Sequence, residues 1–536
     1  MFNRSSQFSI KGKNSFNHVH GDQTIIKLKT REVKRTEYDE FEYIKRGHVI
    51  SVEDLGTVDW NWIWQNGEIV GRHKAQKMIC TVKLVDRQSK YTAMIYEGED
   101  ARRLWEEDFR RFSRTHNLQL FGINRSAIPA LIFHHELIPC AHFYTGSFWM
   151  HVYIQYLATN MGCWDYMLWM NTTSGVFFSG PDGPRTQFRH LIARAPIVVP
   201  STIDMLKGDA SIRFFSKYGR SVDNSVLECA SDNHELTFLD DLFLRMAEDH
   251  RSEDANHPDR SSAMPRYLRG LWWNPPDHLP INVIGGLRFD TVYSPSLEAV
   301  ARPREARPLW WWREMDGLVD RTELDGGLIR FELDPVQGEH VDLKAGYNWQ
   351  RFWEEWLSQS LQVFDALGVT EGKENFFIVE PPDLVLQSTQ RLTTPPTLHN
   401  AEHPIEETLP TPIYLFVHSL PTTLSELVSW MERPRYFWSF DETGQSRLSE
   451  EECERWSLPV LVPNTGYLDQ VELYSWPTHV YTALRDWQKA RGFDPTTSDW
   501  ARSRGHPEWE SIGTEDRFVL VEEPLAEDLD WEVLDV

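Results

Sequence analysis

The chain has no cysteine pair. Its five cysteines, Cys80, Cys140, Cys163, Cys229 and Cys453, lie at least 23 residues apart, so no CxxC element for zinc or dithiol redox chemistry is present. An odd, sparse count fits a reducing compartment. Long apolar runs are also missing. The uncharged stretch Ala141–Trp164 contains His142, His151, Gln155, Asn160 and Gly162, polar groups that a lipid interior would tolerate badly. A buried helix is expected there rather than a membrane span. The amino terminus, MFNRSSQFSIKGKNSF, carries no apolar core of a secretory signal, so a soluble, cytoplasmic protein is expected. Positive charge is scarce: 55 Lys and Arg against 80 Asp and Glu, a formal charge of −25. That disfavours nucleic acid, whose phosphates need clustered cations, and anionic membrane surfaces. There is no P-loop, dinucleotide fingerprint or nucleophile elbow, and HHEL at His134–Leu137 lacks the second histidine of an HExxH zinc site. No cofactor and no metal are expected.

Aromatic residues are abundant. They make up 13% of the chain and include 23 Trp. Trp and Tyr bury large areas while keeping one polar handle, which suits both cores and protein-partner surfaces. At 536 residues the chain has room for about three domains. In VDWNWIWQNGEIV, Trp60, Trp62 and Trp64 alternate, which places them on one face of a strand. Core packing is expected, with a stacking platform for a carbohydrate as the alternative.

The most informative block is Lys77–Pro139. Met78–Leu84 alternates apolar and polar residues as a half-buried strand does. Asp86–Lys90 is a polar turn, and Tyr91–Tyr96 a second strand, making a hairpin. From Gly98 the period becomes helical: Leu104, Trp105, Asp108, Phe109 and Phe112 recur at threes and fours. Arg111, Arg114 and His116 then complement the dipole of the last turns. Leu118–Phe121 and Ala130–Phe133 are two further short strands.

This order resembles the small lobe of the protein kinase fold, and so do the words. TAMIY matches the strand that ends in the phosphate-binding Lys. WEEDFRRFSRTHNLQLFG is similar to the αC helix running into its following strand, and PALIFHHELIP to the last small-lobe strand and hinge. Together with a phrase at Phe16–Gln23 and FWSFDETGQSRLS at Phe437–Ser449, the block resembles a kinase-like, pseudokinase-like family of mushroom-forming fungi. The likeness is firm over the block and the carboxy-terminal phrase, and loose over about three-quarters of the chain. It implies an α+β chain: a protein-kinase-like first domain, with a small antiparallel sheet, an αC-like helix and a helical second lobe, followed by a Trp-rich α+β region.

Phosphoryl transfer needs a Lys on the phosphates, a Glu to hold it, a base and metal ligands. The strand that should end in Lys ends in Tyr96; Lys83 and Lys90 lie in the wrong strand and in the turn. Glu107 falls at the helix Glu, and a solvated charge is its plainer reading. In CWDYMLWMNTTSGVFFSG, Asp165 stands for the catalytic Asp and Asn171 for the metal-binding Asn, one residue too far along. Phe178 or Ser179 occupies the place of the second metal ligand, and Asp182 in GPDGP reads as a turn residue. The weak catalytic candidates are therefore Glu107, Asp165 and Asn171. The expected function is a catalytically inactive kinase-like scaffold or interaction protein. The alternative is an atypical active phosphotransferase using ATP and Mg, in which Lys83 or Lys90 reaches Glu107.

The expected organisation is an extension at 1–45, a degenerate kinase-like domain at 46–246, a charged Ser/Pro linker at 247–265 and a Trp-rich region at 266–536. Leu236–Met246 reads as a helix. Tyr347–Leu367 is the clearest amphipathic helix of the second half, closed by Gly368. Asp441–Glu452 has the length of a calcium loop, but a turn followed by a Ser-capped helix at Ser449–Arg455 fits it better. His250 and His257 lie in the linker, where a solvated role is expected.

Overall fold

The computed structural model describes residues 36–58, 62–65, 68–72, 74–114, 118–186, 192–238, 285–305, 308–334, 340–388, 412–432, 435–465 and 471–512. The protein is mixed α+β with several antiparallel sheets. It divides into two compact units, residues 1–54 with 59–134, and residues 55–58 with 135–536.

In the first unit the elements are β1 (Glu42–Tyr43), β2 (Val49–Val58, of which 55–58 count with the second unit), β3 (Trp62–Gln65), β4 (Glu68–Arg72), β5 (Ala75–Leu84), β6 (Lys90–Gly98), α1 (Ala101–Phe112), β7 (Leu120–Asn124) and β8 (Ala130–Phe133). The main sheet runs β1-β7-β8-β6-β5-β2, and β3-β4 is a separate hairpin. The expected hairpin is β5–β6, paired from Ala75↔Gly98 to Lys83↔Lys90. Because strand side chains alternate, β5 serves two faces. Lys77, Ile79 and Thr81 lie toward α1, while Cys80, Val82 and Leu84 join Ile44, Tyr91, Ala93 and Ile132 in a second cluster. From α1, Ala101, Trp105, Phe109 and Phe112 are buried, and the Trp105 indole donates to the Ala130 carbonyl at 3.0 Å. Each such fully buried aromatic contributes roughly 1.5–3 kcal/mol.

The main sheet takes in residues before 46. β1 pairs in parallel with β7, Glu42 facing Gly122. Gly122 is what admits it: a Cβ there would meet the Glu42 carbonyl oxygen and Ile44 Cγ1, both at 2.8 Å. The Asn124 side-chain amide then donates to the Ile44 carbonyl at 2.7 Å.

The second unit opens with β9 (Leu137–Pro139), α2 (Cys140–Phe143), α3 (Phe148–Met161), β10 (Leu168–Asn171), β11 (Val176–Ser179), α4 (Gly208–Phe215), α5 (Arg220–Asp232) and β12 (Glu235–Phe238). It continues with β13 (Val292–Tyr293), β14 (Ala299–Pro303), β15 (Trp310–Asp316), β16 (Leu318–Glu323), β17 (Ile329–Leu333), β18 (Asp342–Tyr347), α6 (Trp349–Ala366), β19 (Phe377–Glu380) and β20 (Leu384–Ser388). The last elements are β21 (Tyr414–Val417), α7 (Leu424–Glu432), β22 (Tyr436–Ser439), α8 (Glu450–Arg455), β23 (Leu461–Thr465), β24 (Glu472–Ser475), α9 (Thr478–Ala490), α10 (Asp499–Arg504) and β25 (Trp509–Ser511). Its sheets are β11-β10-β9, β12-β24-β19-β13-β14-β25, β15-β18-β20-β23 and β16-β17-β21-β22.

α3 is buried from Phe148 through Ala158, as a chargeless helix in a core should be. No helix among the described residues is long and apolar enough to cross a membrane. α6 is the expected amphipathic helix, and Gly368 follows it at φ +67°, with the Val369 amide bonding back to the Phe364 carbonyl at 2.8 Å. α8 is capped reciprocally by Ser449 and Glu452. The Asp441 carboxylate accepts from the Thr443 and Gln445 amides, so that loop is a turn.

One expectation needs correction. Glu235–Phe238 is the strand β12, paired with β24, where Leu236–Met246 was expected to be helical; a neighbouring strand supplies the hydrogen bonds that the local period does not anticipate. Residues 239–246 and the linker 247–265 with its two histidines lie outside the described residues, as do Trp272 and Trp273. The described chain on either side of that stretch belongs to one compact unit, and the cut falls between residues 134 and 135. The joins are physical. β12 enters the sheet of β24 and β19. Trp149 of α3 meets Trp487 of α9 at 5.6 Å between ring centroids. Asp223 of α5, fully buried, accepts from the Trp487 indole at 2.8 Å and pairs with Arg491 at 3.3 Å.

Candidate functional site

In the first unit the position expected for the phosphate-binding Lys is held by Tyr96, buried on the α1 face of β6. Its hydroxyl donates to Asp108 Oδ2 at 2.7 Å. Burial first, and then the Asp108 charge, push the Tyr96 phenol well above its ordinary pKa, so it stays protonated and donates. Lys77 sits directly across the sheet from Tyr96, and its Nζ reaches the same Asp108 oxygen at 3.3 Å. The Lys77 and Asp108 side chains are 10% and 20% exposed. An ammonium, a carboxylate and a phenol therefore converge beneath α1.

Glu107 takes no part. It is exposed on the outer side of α1 and pairs with Arg103 one turn back at 3.1 Å, the solvated-charge reading. Lys83 and Lys90, one of which the alternative reading needs beside it, face each other at the far end of the hairpin. Six strand residues separate Lys83 from Lys77, about 20 Å of rise. Lys77 and Asp108 were missed for a simple reason. Lys77 precedes the residues read as strand, and Asp108 sits within the apolar stripe of α1. The usable signal was parity: Lys77, Ile79 and Thr81 share a face, and Asp108 is three residues beyond buried Trp105.

In the second unit Asp165 is buried at the start of a short 3-10 turn, Asp165–Met167, directly before β10. Its Oδ2 accepts the Thr186 hydroxyl. Burial first, and then the Asp165 charge, raise the Cys140 thiol well above its ordinary pKa. Asn171 ends β10, and its Oδ1 accepts the Thr173 and Ser174 amides at 2.9 and 3.2 Å. It is thus the side chain that turns β10 into β11. GPDGP, Gly180–Pro184, is irregular and is tied to the chain at Tyr166–Trp169. The Gly180 amide bonds to the Met167 carbonyl at 2.8 Å, the Gly183 amide to the Tyr166 carbonyl at 2.9 Å, and the Trp169 indole to the Pro181 carbonyl at 2.7 Å. Among the described residues no group of three or more His, Cys, Asp or Glu is placed to hold a metal ion. Trp60 lies outside the described residues, and Trp62 and Trp64 belong to β3, whose side chains are not described.

No family model and no curated protein matches the chain.

What the two groups of residues can do chemically differs. Lys77 with Asp108 is a charge-assisted pair that ties β5 to α1. Asp165 and Asn171 spend acceptor capacity on a hydroxyl and on two backbone amides. In a loop that transfers phosphate, such oxygens face a nucleophile or a cation.

Proposed function

We propose that this chain is a catalytically inactive kinase-like protein that serves as a scaffold or interaction module for a protein partner in the cytoplasm, akin to the kinase-like family of mushroom-forming fungi that its sequence resembles. The observation that carries the reading is Asn171, whose side-chain oxygen closes a hairpin turn through two amide bonds. Two further features support it: Asp165 is buried against Thr186, and a protonated Tyr96 stands at the expected Lys position. Losing one preorganised charge-stabilising group alone typically costs about 2.7–4 kcal/mol of transition-state stabilisation.

One observation favours the second reading, an atypical ATP- and Mg-dependent phosphotransferase. Lys77 and Asp108 form a Lys–acid pair between strand and helix, displaced by one strand and one helix position from those expected. The two readings separate in one experiment. The full chain and its Lys77→Met variant are incubated with Mg and γ-labelled ATP, and incorporation is counted. The proposed reading expects no label in either and no shift in melting temperature with Mg-ATP. Label in the parent chain that disappears with Lys77→Met would move the protein to the phosphotransferases.

A further inference from the structure

The Trp-rich half of the second unit contains a cavity of about 430 Å³ between β15, β18 and the first turns of α6, within the usual size range of small-ligand sites. Its aromatic walls are Trp310, Trp311, Tyr347 and Phe352. The polar handles of two of these are already committed. The Trp310 indole N–H donates to the Pro421 carbonyl at 2.7 Å, and the Tyr347 hydroxyl donates to the Phe289 carbonyl. Neither of these two handles is left for a ligand. Trp311 is 47% exposed, and the Arg313 guanidinium already lies 5.0 Å from its ring centroid, so this ring stacks with a cation within the chain itself.

The charge of the lining points the same way. Asp290, Glu305 and Glu355 contribute three carboxylates and Arg351 one guanidinium to the lining, with Arg288 behind Asp290 and Arg313 against Trp311. Asp290 is fixed by two bonds from Arg288, at 2.7 and 2.6 Å, and Glu355 accepts from Arg351 Nε at 2.9 Å. Glu305 is exposed. Ring faces carry negative potential and attract cations, most strongly where water is excluded; fixed carboxylates reinforce that sign.

From this arrangement we infer that the cavity is a binding site for an organic cation, an alkylated ammonium or a guanidinium. The chemistry is the same whether the group is a free amine or the end of a Lys or Arg side chain on a basic protein partner, for which a chain of net charge −25 is electrostatically suited. The inference stands apart from whether the first unit transfers phosphate.

The test is calorimetric titration of the full chain with tetramethylammonium, butylguanidinium, a neutral tert-butyl alcohol isostere and a neutral oligosaccharide, followed by short peptides carrying arginine or trimethyl-lysine. Trp311→Ala and Glu305→Gln change exposed side chains and leave the core intact, which far-ultraviolet circular dichroism checks. Saturable binding of the cations is expected, with the isostere and sugar at least tenfold weaker. Trp311→Ala should lose about 2- to 30-fold in affinity. Tighter binding of the peptides than of the free cations assigns the site to a partner's side chain, and equal binding assigns it to a free amine. No saturation by any cation up to about 10 mM, equal binding of the neutral isostere or sugar, or unchanged affinity in Trp311→Ala would each overturn the inference.

Discussion

Asp108 receives both the Tyr96 hydroxyl and the Lys77 ammonium, so three substitutions around it should differ sharply. Tyr96→Phe removes one charge-assisted bond and is expected to cost about 1.5–3 kcal/mol. Asp108→Ala leaves a largely buried ammonium unpaired and should cost about 2–4 kcal/mol, somewhat less than the 3–5 typical of a fully buried pair. Glu107→Ala removes an exposed pair within one helix and should stay within about 0.5 kcal/mol. Urea midpoints of the three variants check the order. A second residue-scale prediction concerns Glu380 and Glu472, which face each other across β19 and β24. Burial first, then Glu472, then Asp383 hold the Glu380 carboxyl well above the ordinary carboxylate range, against the pull of Arg313. The folded state thus keeps a proton that the unfolded chain releases at about pH 4.3. Stability is full below that point and falls as pH rises through the higher folded value. Melting temperatures from about pH 5 to about pH 8 should decline in the parent chain and decline less in Glu380→Gln.

At the scale of elements, α1, the β5–β6 hairpin and the α6 helix lie where hydrophobic period placed them. Each is decided by local spacing: Trp105, Phe109 and Phe112 for α1, and Phe352, Trp356 and Phe364 for α6. β1 and β12 were not foreseen. Each is short, two and four residues, and each exists because a distant strand offers a free edge. Such pairing leaves no period to read over so few residues. Gly122 gives β1 a testable dependence. Gly122→Ala pushes a methyl into the Glu42 carbonyl and Ile44, and overpacking of this kind costs about 1–3 kcal/mol. Hydrogen exchange should show the Ile44 amide, which donates to the Ile123 carbonyl, losing protection before the β5–β6 ladder does.

At the scale of the molecule, the second unit joins α3 and α5 to the Trp-rich sheets through buried polar and aromatic contacts. Asp223 is the centre of one of these. It serves Trp487, Arg491 and, at 3.9 Å, Arg504; burial lowers the Arg504 pKa, while the Asp223 charge opposes that shift. Asp223→Ala leaves these partners without their acceptor and is expected to cost about 3–5 kcal/mol. It should lower one cooperative transition that spans both halves of the unit. A fragment ending at residue 246 would lack the strand that β12 pairs with and the helix that covers α5. Limited proteolysis should digest its residues 135–238 faster than the same residues in the full chain.

The sequence by itself determined the α+β character, the long helices, the hairpin and the Ser449 cap, because each follows from spacing or capping within a few residues. It also showed Tyr96 where the resemblance to kinases leads one to expect a Lys, since that depends on identity at one position. Tertiary structure alone decided where the charges meet. Lys77 finds Asp108 across 31 residues, Asp223 finds Trp487 across 264, and the aromatic cavity gathers Asp290, Trp311 and Glu355 from a turn, a strand and a helix. A pairing between distant residues depends on how sheets and helices close, and no local period encodes that.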